Sequence, residues 1–303
     1  MKSLRGHLCA LAAVVLFGLM SPASKYALSS GRVDGLALGV LRLWGAALAF
    51  GLLALATGAG RRVGKGDWPA IVGMALTGMV FNQCLYVTGI QFTSPVNACV
   101  IGSVTPVVVL VLSVFFLGAA LTARKAAGTA LALAGALTLV LGSAATGGRA
   151  GSPVGDLMCV CSQTSAACYF VFFGRVIRKY PPVALLAWVF LVAAALVLPV
   201  GLWKFDLVCA GFSDVSVAVA IAYVVLGGTF AAYLFLLVAQ RHLEPAVVAT
   251  YNYVQPVVAA LAGLALSLEH VTWQKCLAGA LIAAGVWLVT HAVPRKTDNG
   301  SEP

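Results

Sequence analysis

Apolar runs of about twenty residues recur along the chain, separated by short breaks of charged and turn-forming residues. A helix rises 1.5 Å per residue, so about 20 apolar residues cross about 30 Å of hydrocarbon. The runs predict ten spanning helices, at about 7–29, 34–58, 68–90, 95–118, 125–144, 154–174, 182–203, 217–239, 245–268 and 273–293. The breaks leave no room for a soluble domain. The expected fold class is therefore an all-α integral membrane protein with the lipid bilayer as its solvent. The stretch from Met1 to Ser24 also imitates a signal peptide, charged, then apolar, then small. It is kept as the first helix because the repeat described below needs it.

Composition narrows the class. Hydrophobic residues make up 61% of the chain and charged residues 9%, against about 25% charged in a soluble domain. A soluble enzyme and a disordered chain are excluded. The net charge of +10 is dispersed in ones, twos and threes between apolar runs, so there is no basic stripe for nucleic acid. With the N-terminus inside, thirteen Lys and Arg fall in the inner breaks and five in the outer ones, with Arg42 inside a span. That bias puts both termini in the cytoplasm, and with the short loops it suits a bacterial inner (plasma) membrane. Among the eight cysteines, Cys159 and Cys161 are two apart and no CxxC occurs. No metal and no cofactor is expected. Nothing in the chain sets an oligomeric state, and a monomer is compatible with it.

The chain also matches itself. At a shift of 150 residues, Pro95 meets Pro245 and Pro106-Val107-Val108 meets Pro256-Val257-Val258. Over 94–135 against 244–285 there are 11 identities in 42. Two domains follow, residues 1–148 and 149–303, each a five-helix repeat. Five is odd, so the second repeat enters the membrane in the opposite sense. Inverted repeats of this kind are a plan of secondary transporters.

These residues resemble the EamA-type transporters of the drug/metabolite transporter superfamily. In the first half the resemblance rests on Leu16-Phe-Gly-Leu-Met-Ser-Pro-Ala-Ser-Lys25, Arg42, Tyr86-Val-Thr-Gly-Ile-Gln-Phe-Thr-Ser-Pro95 and Pro106. In the second it rests on Glu244-Pro245, Tyr253-Val-Gln-Pro256, Ser267-Leu-Glu269, Gly279 and Gly285. It implies a ten-helix exporter or exchanger of small metabolites with a cavity between the halves. One departure stands out. The family often carries Leu-Gly-Glu after each fourth helix, but the first copy here reads Leu117-Gly118-Ala119, which leaves only Glu269 for that role.

Charge inside lipid costs about 2.5–3.5 kcal/mol on insertion scales, so such a residue is a functional candidate. Arg42 lies eight residues past Asp34, about 12 Å into the second helix. Lys25 lies near the outer end of the first. Together they could hold a carboxylate or phosphate; the alternatives are that Lys25 snorkels and that Arg42 caps backbone carbonyls. Neutral polar groups at depth complete the candidate substrate contacts: Asn82, Gln83 and Tyr86 on one face of the third helix, Gln163 and Tyr169 in the sixth, and Tyr251, Asn252 and Gln255 in the ninth. Their alternative role is to join helices, at about 0.6 kcal/mol each. Pro106 and Pro256, in equivalent helices, are candidate bending points because each removes a backbone donor and frees a carbonyl one turn earlier.

The acidic residues and the four histidines all lie in loops, tails or helix ends. No coupling-ion site is visible, and facilitated transport or exchange is expected. The leading function is alternating-access export or exchange of small metabolites, with amino acids or related organic anions the first guess. A lipid or lipid-linked sugar flippase is the alternative. A membrane-embedded enzyme is remote, since the chain holds no GxSxG, no HExxH and no cluster of carboxylates or histidines at fixed spacing.

Overall fold

The structure is a computed structural model that describes residues 2–59, 63–92, 95–144, 153–255, 257–258, 261 and 273–291. Among the described residues it is helical throughout, without strands. The rods follow the apolar runs. They are α1 (Lys2–Ser29), α2 (Gly35–Ala56), α3 (Trp68–Met74, Ala75–Cys84 and Leu85–Phe92 end to end), α4 (Pro95–Leu117) and α5 (Ala123–Ala144). In the second half come α6 (Pro153–Phe172), α7 (Pro182–Leu196), α8 (Val215–Ala222, Tyr223–Ala231 and Ala232–His242 end to end), α9 (Pro245–Thr250, then Tyr251–Tyr253) and α10 (Trp273–Thr290).

Local chemistry explains the ends. Proline opens α4, α6, α7 and α9, where its missing N–H would be unsatisfied anyway and its φ is already helical. Asp34 caps α2 by accepting from Ala37 N at 2.8 Å, and Asp214 caps α8 by accepting from Ser216 N at 2.8 Å. Gly118, at φ 60, takes the left-handed turn just after α4.

Three departures from the expected spans have physical causes. The run 182–203 is not one helix: α7 stops at Leu196, and Leu198–Trp203 and Phe205–Ala210 follow as separate turns. Pro199, in the first turn of the next segment, cannot donate to Ala195 and so ends the rod. The middles of α3 and α8, at Ala75–Cys84 and Tyr223–Ala231, are wound to π spacing. Finally, the chain tightens into a 3₁₀ turn at Tyr251–Tyr253 in α9.

The packing obeys the repeat. α1 lies against α8 and α3 against α6; α2 pairs with α7 and α5 with α10; α4 touches α6 and α9, and α1 touches α9. Exchanging the halves, α1 for α6 through α5 for α10, returns the same set of neighbours. In α5 and α10 the backbones come close at glycine: a methyl on Gly285 would sit 2.6 Å from Gly128 O and from Ala132 Cβ. The main core draws on α1–α4 and α6–α10, Ala132 and Ala136 of α5 form a smaller cluster with Tyr253 and Ile282, and Leu55, Phe115, Val219 and Trp287 stand 60–82% exposed on the outside. An apolar outer face of this kind belongs in hydrocarbon. Four rods, Leu4–Ser29, Gly35–Ala56, Lys65–Ile90 and Val215–His242, meet the length and hydropathy of a membrane span by composition alone.

Candidate functional site

Arg42 points inward from α2 and is 3% exposed. Its Nε donates to Thr229 Oγ1 at 3.0 Å, and the same hydroxyl donates to Val224 O at 2.8 Å, five residues back in the π-wound part of α8. The winding therefore turns the Thr229 lone pairs toward the guanidinium. Among the described residues no carboxylate pairs with Arg42. The ionisable groups around it are Tyr233 of α8 and Cys84 and Tyr86 of α3.

Tyr233 ties this centre together. Its hydroxyl donates to Gly78 O at 3.1 Å, its ring meets Phe17 of α1 and Phe190 of α7 edge-on at 5.5 Å each, and Gln83 lies within reach of its oxygen. Gly78 is required by the fit: a methyl there would lie 2.8 Å from Cγ of the Tyr169 ring. Two buried acceptors at this centre, Gln83 Oε1 and the Tyr169 hydroxyl, have no hydrogen-bond partner. Gln83 Nε2 donates to Met79 Sδ at 3.5 Å. Buried polar atoms are nearly always paired, so orphans beside a guanidinium with no carboxylate partner single this centre out as the candidate site.

The repeat runs through the site at a register of 147. Tyr86 and Tyr233 are 147 residues apart, as are Asn82 and Thr229, and the starts of α2 and α7 keep the same offset. Thr229 and Tyr233 are absent from the residues expected from sequence. The signal that finds them is this register, which differs from the 150 of the α4–α9 match because α8 runs three residues longer than α3 before its turn.

The other expected contacts lie elsewhere. Asn82 and Gln83, expected on one face, meet different neighbours, because successive residues of a helix point about 100° apart. Asn82 donates to Ser162 O at 3.3 Å and accepts at its backbone carbonyl from Ser162 Oγ at 2.7 Å, joining α3 to α6. Gln163 Oε1 accepts from Thr105 Oγ1 at 2.7 Å beside Pro106, joining α4 to α6. Tyr251 bonds His7 Nδ1 at 2.9 Å, tying α9 to α1. Gln255 donates to Asn252 Oδ1 within its own helix at 3.1 Å. Lys25 falls on α1 with its side chain outside the described residues, as are Pro256 and Glu269.

Both ends of the bundle are tied by ion pairs. At the end that carries the N-terminus, Lys179 Nζ meets Asp67 Oδ2 at 2.5 Å, and the Tyr180 hydroxyl donates to the same oxygen. Buried Lys125 meets Glu244 there as well. At the opposite end Arg32 Nη1 meets Asp214 Oδ2 at 3.0 Å and Lys204 Nζ meets Asp34 Oδ2 at 2.8 Å. The bonds from Lys179 and Tyr180 hold the Asp67 carboxyl below its ordinary range. The Ser216 hydroxyl, then the amides of Val217 and Ser216, do the same for Asp214.

An apolar groove of about 350 Å³ lies outside this centre between α2 and α8, with Leu41, Trp44 and Val225 in its wall.

Residues 4–141 and 153–291 match the EamA-like transporter family. A protein of Archaeoglobus fulgidus described as an uncharacterized transporter is 26% identical over 281 residues, covering 92% of this chain and 96% of its own. A protein crystal structure aligns with a TM-score of 0.76 at 20% identity, over 94% of this chain and 96% of that one. At that identity the likeness speaks for the fold alone.

Proposed function

Because the chain belongs to the EamA-like transporter family, we propose that it is a secondary transporter that exports or exchanges small metabolites by alternating access. Amino acids or related organic anions are the proposed cargo. In this reading ten helices cross a bacterial inner membrane and both termini lie in the cytoplasm. The observation that carries the cargo class is Arg42: a buried guanidinium between the halves, with one hydrogen bond and no carboxylate among the described residues. A buried charge without a partner is strongly unfavourable, so a ligand's anionic group is the natural complement.

Arg42 then receives the carboxylate, and Thr229 holds Nε so that the outer nitrogens of the fork face the ligand. Gln83 Oε1 and the Tyr169 hydroxyl accept from its donors, Tyr86 and Tyr233 flank it, and Lys25 draws the anion in. Rocking of one half against the other breaks the joints made by Asn82 and Gln163 and bends α4 at Pro106 and α9 at Pro256. It also brings Tyr251, Asn252 and Gln255 to the pathway.

Counterflow in proteoliposomes loaded with a mixed metabolite extract tests this. The expected result is selective exchange of amino or organic acids. Arg42→Gln should lower exchange of anions about 10- to 100-fold, the worth of one or two charge-assisted bonds, and of neutral solutes far less. Equal loss for both would make Arg42 structural. No exchange of any soluble solute by folded protein would overturn the metabolite reading and lead to a lipid-flip assay.

A further inference from the structure

All four ion pairs among the described residues join one half of the chain to the other: Arg32–Asp214, Lys204–Asp34, Lys179–Asp67 and Lys125–Glu244. Two of them are copies of each other. Arg32 and Lys179 are 147 residues apart, and so are Asp67 and Asp214. This is the register that superimposes α2 on α7 and Tyr86 on Tyr233. Arg32 sits at the corner between α1 and α2, and reaches the residue that opens α8. Lys179 sits at the equivalent corner between α6 and α7, and reaches the residue that opens α3. Inversion places the two contacts at opposite ends of the bundle. The other two pairs lack such counterparts. Thr57 and Pro181 stand where the register would put partners for Lys204 and Asp34, and neither carries charge.

We propose that Arg32–Asp214 and Lys179–Asp67 are repeat-related latches, one at each end, and that the protein opens to one side by releasing the latch there while the other holds. The inference rests on the alternating-access reading and adds to it the contacts that gate each face. Three observations carry it. Both pairs are closed here while Arg42, between the two ends, is shut off from water. Each acidic partner stands at the N-terminus of a rod with a π-wound middle. Those two rods supply the shell of Arg42, Thr229 and Tyr233 from α8 and Tyr86 and Gln83 from α3, so movement at a latch reaches the site along a single rod. The pairs are also half-exposed, with side chains at 43% and 34% in one and 55% and 20% in the other. Pairs this wet are worth little each, as a contact that must break in every cycle requires.

Cys84 is a built-in probe. It lies on α3 beside Arg42, and a methyl on Gly39 of α2 would touch its sulfur at 3.4 Å. The experiment uses full-length protein with the other seven cysteines replaced by alanine, reconstituted in one orientation and exposed on one side to a membrane-impermeant maleimide. Arg32→Gln should raise labelling of Cys84 about two- to five-fold from the Arg32–Asp214 end, the range expected of an exposed pair, and leave the other end unchanged. Lys179→Gln should give the mirror result. Arg32→Lys, which keeps the charge, should label as the parent does. Both substitutions leave Asp67 and Asp214 themselves, and the Asp214 cap of α8, in place. Equal rises from both sides, as general loosening would give, or no rise from either, would overturn the latches. Sided labelling without transport of any solute would retain the latches and remove the transporter reading. Transport that persists without sided labelling would remove the latches alone.

Discussion

At the scale of single residues the centre is organised around a charge that has no counterion among the described residues. Among the described residues Arg42 donates to the hydroxyl of Thr229, which sets the direction of the guanidinium rather than neutralising it. Thr229→Val keeps the shape and removes the acceptor. It should weaken exchange of anions about tenfold, near the cost of one bond to a charged group, chiefly as a raised KM. Thr229→Ser should restore it, and if both variants behave like the parent, Thr229 does not position Arg42. The latches give a second residue-scale prediction, in pH. Hydrogen bonds depress Asp67 and Asp214 in the folded protein, so their contribution is present above the unfolded carboxylate range and is lost as pH falls through the lower folded values. The ratio of one-sided Cys84 labelling in the parent to that in Arg32→Gln, which cancels the thiolate dependence of the reaction, should therefore stay flat from about pH 8 to about pH 5 and rise toward one only below about pH 4. A rise near neutrality would point to some other titrating group.

At the scale of elements, the rods were legible because lipid demands an internally bonded helix wherever about twenty apolar residues run together. Their irregularities were not. The π winding of α3 and α8 adds a residue per turn without any local mark in composition. Beside it stand one local contact, the Thr229 bond to Val224 within α8, and two tertiary ones, the bond from Arg42 to that hydroxyl and the ring of Tyr169 laid on Gly78. Asn82 and Gln83 were readable as polar groups at depth that point about 100° apart, but the helices each of them meets were not. The break after Leu196 had a local sign in Pro199, though the apolar run continues to Trp203. Small residues were legible as packing positions, and the contact of α5 with α10 makes that quantitative. Gly285→Val would push against Gly128 and Ala132 and should cost about 1–3 kcal/mol, read as a lower thermal midpoint in detergent. Gly279→Val, where a methyl meets nothing within 4 Å, is the control. Equal effects of the two would mean that the close approach is not what α5 and α10 depend on.

At the scale of the whole molecule, the inverted repeat turns a question about motion into one about orientation. Exchanging the halves preserves which rods touch, so a state open at one end has a mirror state open at the other, built from the same contacts with roles exchanged. Charge distinguishes the two ends. Among the basic side chains described, Arg5, Lys65, Arg124, Lys125, Arg175, Arg178, Lys179 and Arg241 gather at the end that carries the N-terminus, against Arg32 and Lys204 at the other. Excess Lys and Arg remain on the cytoplasmic side, so the Lys179–Asp67 latch should face the cytoplasm and the Arg32–Asp214 latch the exterior. Two single-cysteine variants decide it, because Ser213 and Gly66 are exposed in the turns beside the two latches and repeat one another at 147 residues. Ser213→Cys should react with an impermeant maleimide in intact cells. Gly66→Cys should react only after the membrane is opened. The reverse pattern would invert the topology and with it the face that each latch closes, while the repeat relation between the latches would stand, since it depends on register and not on which compartment lies at either end.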